Sequence, residues 1–177
     1  MQQKIVVLTR ECKARRVPNG DLVLIPQGEF VNINQDLGGN YTVTWQGNML
    51  RIDGTDADAL GRTPQTLDFP TPQDERIYYE HVLQALETIY DPEIPINLLS
   101  LGLIYNVQID QDAQTVNIDM TLTAPGCGMG PVLVGDVEYR LSMVPNVKKV
   151  NVRLIFDPPW SREMMSEEAQ LEAGVFF

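Results

Sequence analysis

The chain has 177 residues, 44% of them hydrophobic, enough for one good-sized domain or two small ones that fold without staples. Its net charge of −11, with no long stripe of Lys or Arg, argues against nucleic acid as a partner. No apolar run approaches the roughly 18 residues of a membrane span, and the start Met-Gln-Gln-Lys-Ile-Val-Val lacks a signal-peptide pattern, so no membrane association and a cytoplasmic location are expected.

The first third reads as short apolar segments: Ile5 to Leu8, Leu22 to Ile25, Phe30 to Ile33, Tyr41 to Trp45 and Met49 to Ile52. Turn signals at Pro18-Asn19-Gly20-Asp21, Leu37-Gly38-Gly39-Asn40 and Gln46-Gly47-Asn48 separate them, which predicts a small antiparallel β module over residues 1–62. The basic cluster Arg10 to Arg16 reads as the flank of an exposed hairpin and receives no role. Asp53, Asp56 and Asp58 alternate as in a calcium loop, but the glycine and terminal glutamate are misplaced, so a solvated turn is expected.

Residues 63–71, rich in proline and without regular period, are expected to link this module to a second domain over 72–177. Thr71, Pro72 and Asp74 suggest a capping box, followed by a helix to Tyr90 with Ile77, Tyr78, His81, Val82, Ala85 and Ile89 on one face. His81 is expected as a packed, hydrogen-bonded core residue. In Asp91-Pro92-Glu93-Ile94-Pro95 the prolines stiffen a loop that carries two carboxylates. A strand from Ile104 to Ile109 pairs through a turn with Thr115 to Thr123, and a third strand, Val147 to Phe156, precedes a short helix from about Ser161. The fold class is α/β in the α+β sense: a compact three-stranded sheet with helices, preceded by the antiparallel module.

Thr121 to Pro131 holds the most informative residues. The period-two run Val116, Ile118, Met120 and Leu122 ends at Pro125, and Met129, Val132, Leu133, Val137, Leu141 and Val144 recur at helical steps from about Gly130. Cys127 thus sits in a glycine-rich turn at a helix N-terminus, where unpaired NH groups and the helix dipole favour a thiolate. A cysteine packed as a small hydrophobe is the competing reading; three glycines and two prolines in the turn favour function. With two cysteines, one histidine and no Cys-x-x-Cys, the chain cannot complete a four-ligand zinc or four-cysteine cluster site from the usual residues. Cys12 and Cys127 are both expected as thiols.

The ordered set Asp91-Pro92-Glu93-Ile94-Pro95, Leu101-Gly102-Leu103-Ile104-Tyr105, Thr121 to Cys127, and Asp157-Pro158-Pro159-Trp160-Ser161 with Met165-Ser166 resembles the MIP-type iron-sulfur maturation family. Gly28, the Leu37 to Tyr41 turn and Asp58-Ala59-Leu60-Gly61 resemble its bacterial SufT branch. The resemblance implies a polar pocket lined by Cys127, Asp91, Glu93, Thr121 and Thr123, with Cys127 as the metal ligand. Many single-domain relatives place proline directly after the cysteine, whereas Gly128-Met129-Gly130 intervenes here.

It further implies a non-enzymatic accessory factor that carries iron or an iron-sulfur cluster transiently to client apoproteins and meets the assembly machinery. One cysteine per chain leaves a cluster incomplete, so a homodimer or an external thiol would have to complete it. A non-catalytic adaptor docking through Trp160, Met164, Met165, Val175, Phe176 and Phe177 is the alternative. A cysteine nucleophile has little support, because the sole histidine, His81, falls on a predicted core face.

Overall fold

The computed structural model describes residues 4–37, 39–91, 94–124, 126 and 128–174. They form two compact units, Met1–Leu67 with Gly128–Gly135, and Asp68–Cys127 with Asp136–Phe177. Both have mixed or antiparallel β-sheets, and the chain as a whole is α+β.

The first unit is a six-stranded sheet of order β1-β4-β5-β6-β2-β3, antiparallel at every pairing: β1 Lys4–Val7, β2 Cys12–Arg16, β3 Leu22–Ile25, β4 Phe30–Leu37, β5 Asn40–Trp45 and β6 Asn48–Ile52. All five expected strands are present, Leu22–Ile25 with the expected ends and the other four with shifted ones, and the expected turns fall between strands, Gly38 of the second lying outside the described residues. β2 was not expected, because its charges mask the pattern: Cys12 and Ala14 are buried while Lys13 is exposed. Ile25, Val31, Val43, Leu50 and Ile52 fill the core. Burial pushes the Cys12 thiol up to about 12 and leaves it an inert core group.

The aspartates after β6 do structural work. Asp53 caps a 3-10 turn, Gly54–Leu60, by accepting from the Thr55 amide at 2.9 Å. Asp56 and Asp58 grip Arg10: its Nη2 donates to Asp56 Oδ1 at 2.9 Å and to Asp58 Oδ1 at 2.8 Å, and its Nε donates to Asp58 Oδ2 at 2.8 Å. The Arg10 guanidinium holds the Asp58 carboxyl below its ordinary value.

The second unit is built on α1 Tyr79–Glu87, α2 Leu98–Leu101, β7 Ile104–Asp110, β8 Thr115–Met120, β9 Lys149–Leu154 and α4 Glu167–Ala173. The helix α3, Gly130–Leu141, begins among residues grouped with the first unit and ends among residues of the second. β7 and β8 form the expected hairpin, and β9 runs parallel to β8 with Thr115 opposite Lys149 and Met120 opposite Leu154. Val116, Ile118 and Met120 point into the core. On the opposite face Asn151 Nδ2 donates to Asn117 Oδ1 at 2.9 Å, and Arg153 donates twice to Asp119 at 3.0 Å, which pins the register.

α1 starts seven residues later than the sequence suggested, and Asp74 caps nothing helical. The Asp74 carboxylate accepts instead from the Arg76 amide and the Tyr78 hydroxyl. Gln111 occupies both backbone groups of Ile77, accepting from its NH and donating to its carbonyl at 2.8 Å each, and Asn146 Nδ2 donates to Arg76 O at 2.8 Å. With those groups engaged, the chain bends over residues 73–76, is extended at Tyr78 and turns helical only at Tyr79. His81 is buried as expected, against Phe69 and Tyr78, but its Nδ1 has no hydrogen-bond partner among the described residues.

Candidate functional site

A backbone relay in the second unit places the two loops expected to carry the site. Leu98 NH donates to Ile89 O at 2.9 Å, Leu103 NH to Leu98 O at 3.1 Å, and Thr121 NH to Leu103 O at 2.9 Å. The end of α1, the short helix α2 and the exit of β8 are thereby tied in sequence. Asn97 fixes α2 by accepting from Ser100 NH at 2.9 Å, and Gly102, with φ +74, ends it in a left-handed turn.

Asp91 opens the first loop and is buried, 7% exposed. Its Oδ1 accepts from Ile94 NH at 2.9 Å and its own NH donates to Ile96 O at 3.2 Å, so the carboxylate folds the loop back on itself. One oxygen is committed to this turn. Beside the loop, Tyr90, Ile96, Asn97, Ser100, Glu168 and Glu172 line a recess of about 220 Å³.

Thr121 opens the second loop. The alternation of β8 predicts that it shares the outward face of Asn117 and Asp119, yet it is fully buried, as are Met120 and Leu122 on either side. The strand pairing ends at Met120, and the chain turns Thr121 inward with its Oγ1 unpartnered among the described residues. A buried hydroxyl without a partner costs about 1–3 kcal/mol. Thr123 is half-buried.

Cys127 and Glu93, the other expected site residues, lie outside the described residues. Gly126 and Gly128, on either side of Cys127 in the sequence, are exposed, and a Cβ at either would meet nothing within 4 Å. Among the described residues no group of three or more His, Cys, Asp or Glu could hold a metal ion, and no helix is long and apolar enough to cross a membrane.

Charge is divided sharply between the units. Lys, Arg, Asp and Glu cancel within residues 1–67, and 128–135 carry none, so the whole −11 belongs to the second unit. Its field attracts cations and opposes anions such as phosphate.

Residues 79–154 match the family described as iron-sulfur cluster assembly protein. A Porphyromonas gingivalis protein named Fe-S protein maturation auxiliary factor is 47% identical over 95 residues, 54% of this chain and 90% of that protein. The Staphylococcus aureus Fe-S protein maturation auxiliary factor SufT is 39% identical over 87 residues, 49% of this chain and 98% of that protein. A crystal structure of a domain of unknown function, DUF59, from Bacillus anthracis superposes with a TM-score of 0.52 at 37% identity, covering 54% of this chain and 91% of that one. About half of this chain thus lies outside each of these alignments.

Proposed function

The chain belongs to the iron-sulfur cluster assembly protein family, and from that membership we propose that it is an accessory factor in iron-sulfur protein maturation, not an enzyme. The observation that carries this reading is the 47% identity that runs through 90% of a protein named Fe-S protein maturation auxiliary factor. Cys127 thiolate is the iron ligand in this reading, with the exposed Gly126 and Gly128 as its neighbours in the sequence. Asp91 or Glu93 supplies oxygen, and the buried Thr121 hydroxyl, with Thr123 nearby in sequence, supplies a hydrogen bond to the bound thiolate or cargo.

The cargo is iron or an iron-sulfur cluster, held transiently. One thiolate with one or two oxygens leaves the metal short of ligands, so exchange to a client apoprotein with more cysteines runs downhill. A second copy's Cys127 or a small thiol completes the shell while the cargo is in transit. The acidic second unit draws ferrous iron and basic client surfaces toward the site in the cytoplasm.

Anaerobic reconstitution with iron and sulfide tests the assignment, read by visible absorption, iron per chain and gel filtration. Wild type should colour and Cys127→Ala should not, and a shift toward dimer would identify a shared cluster. A colourless wild type would move the function to the adaptor reading. Two of that reading's anchors pack on their own unit: Trp160 Nε1 donates to Leu101 O at 2.7 Å, and Met165 is buried. Val175, Phe176 and Phe177 lie outside the described residues.

A further inference from the structure

The six-stranded sheet of the first unit ends in two apolar edge strands, β1 and β3, and among the described residues β1 pairs only with β4. Ile5 is 70% exposed and Val7 44%, and Phe30, directly opposite Val7 on β4, is 66% exposed. Cross-strand partners share a face, so these three residues form one apolar patch on the outer side of the sheet, away from Val31 and Ile33 in the core. The backbone beside them is open as well. Leu8 NH donates to Glu29 O at 2.9 Å, so the backbone groups of Leu8 face β4. Antiparallel bonding alternates along a strand, so Val6 and Lys4 also face β4, and the NH and carbonyl groups of Ile5 and Val7 point to the free side. The next outward group is taken, because Thr9 NH donates to Ala59 O at 2.9 Å. The open edge therefore runs from Lys4 to Leu8 and is centred on Val6.

Such a window is self-complementary. In an antiparallel pair of two copies related by a two-fold axis at Val6, Ile5 of each copy exchanges both hydrogen bonds with the second copy's Val7, Val6 faces Val6, and Lys4 stands opposite Leu8. The two apolar patches then become one continuous face. Charge agrees with this register. Lys4 meets no second Lys4; it shares a face with the second copy's Glu29, the cross-strand neighbour of Leu8. Two strand spacings put roughly 10 Å between their Cα atoms, a gap that a lysine and a glutamate side chain span. The first unit as a whole is neutral, so two copies meet there without the repulsion that the −11 of the second unit imposes on a contact between second units. Self-pairing of β3 has no such match: Lys13 and Arg15, opposite Leu24 and Leu22, would flank the seam with like charge on both sides.

We propose that the β1 edge is the docking surface for a second copy of this chain, joined through an antiparallel ladder centred on Val6. An uncovered apolar edge strand is a template for such pairing. The contact needs neither iron nor Cys127, so it stands or falls separately from the proposed function.

Sedimentation velocity of the iron-free, full-length protein over a concentration series tests it. Wild type should pass from monomer to dimer with weak affinity, since one short strand pair and its flanks lie at the small end of specific interfaces. Ile5→Lys, at a well-exposed side chain, should stay monomeric throughout, while Leu24→Lys, at a half-exposed position on β3, should dimerise like wild type. Lys4→Glu should weaken the dimer by about tenfold, and Lys4→Glu combined with Glu29→Lys should restore it. No contact within one copy explains such a rescue, because Lys4 and Glu29 lie at opposite ends of the β1–β4 pairing. A monomeric wild type overturns the proposal and leaves the edge to an extended segment of another protein. A dimer that survives Ile5→Lys, or a double charge exchange no tighter than Lys4→Glu alone, overturns it too. If Ile5→Lys does not fold, the charge exchange alone decides.

Discussion

The amide of Thr121 donates to the carbonyl of Leu103 at 2.9 Å, one residue past the end of β8, and this bond turns a wholly buried hydroxyl inward without a partner among the described residues. Replacing it by the isosteric valine removes an unsatisfied polar group. Thr121→Val should therefore be more stable than wild type by about 1 kcal/mol in denaturant unfolding, yet bind less iron per chain on anaerobic reconstitution. A stabilised variant that loads iron normally would deny the hydroxyl any part in the site.

Asp91 separates structure from chemistry in a similar way. Asp91→Ala loses the bond from Ile94 NH and should cost about 1–2 kcal/mol through unravelling of the loop. Asp91→Asn keeps an acceptor oxygen in place and should fold nearly as well. If the carboxylate ligates iron, both variants lose loading; if it only shapes the loop, asparagine loads like wild type.

Cys12 predicts an alkaline weakness. Its thiol rises from about 9 to about 12 on folding, so the protonated form is favoured in the native state. The stability this contributes is intact below pH 9 and is lost as pH climbs from 9 toward 12, where the unfolded thiol ionises first, at up to about 1.4 kcal/mol per pH unit. Urea midpoints measured between pH 8 and 11 should fall more steeply for wild type than for Cys12→Ala. The native protein should also leave Cys12 unalkylated under conditions that modify Cys127.

The Arg10 clamp is an exposed network, with 42% of the Arg10 side chain and 47% of the Asp58 side chain open to solvent. Solvent screening limits Arg10→Gln to a loss of no more than about 1 kcal/mol. Because Asp58 is held below its ordinary value, the contribution exists above the carboxylate range and fades as pH falls through it. Thermal melts of wild type and Arg10→Gln should converge below about pH 4, and also in 1 M salt.

Patterns confined to a few neighbouring residues were legible in the sequence. The period of two placed Val116, Ile118 and Met120 inside, and the helical spacing of Val132, Leu133, Val137 and Leu141 matches their burial in α3. What escaped depended on distant partners. Nothing near Ile77 announces that Gln111 will occupy its backbone, so the apolar spacing places the start of α1 too early. Lys13, Arg15 and Arg16 read as a charge cluster, although Cys12 and Ala14 already alternated with them as a strand. For the site, the prolines announced a stiff loop at Asp91 but not that its carboxylate would accept from the Ile94 amide, and the inward rotation of Thr121 appears only once β8 ends and Leu103 claims its amide.

Parallel pairing of β8 with β9 also sets a timetable during synthesis. The β7–β8 ribbon can close once Met120 has been made, but a lone two-stranded ribbon is marginally stable in water. Its third strand is complete only at Leu154, 34 residues later, an interval of about 2 to 7 s at typical elongation rates. Cys127 lies in the stretch translated between those two points, so the nascent chain carries its thiol before the three-stranded sheet is complete.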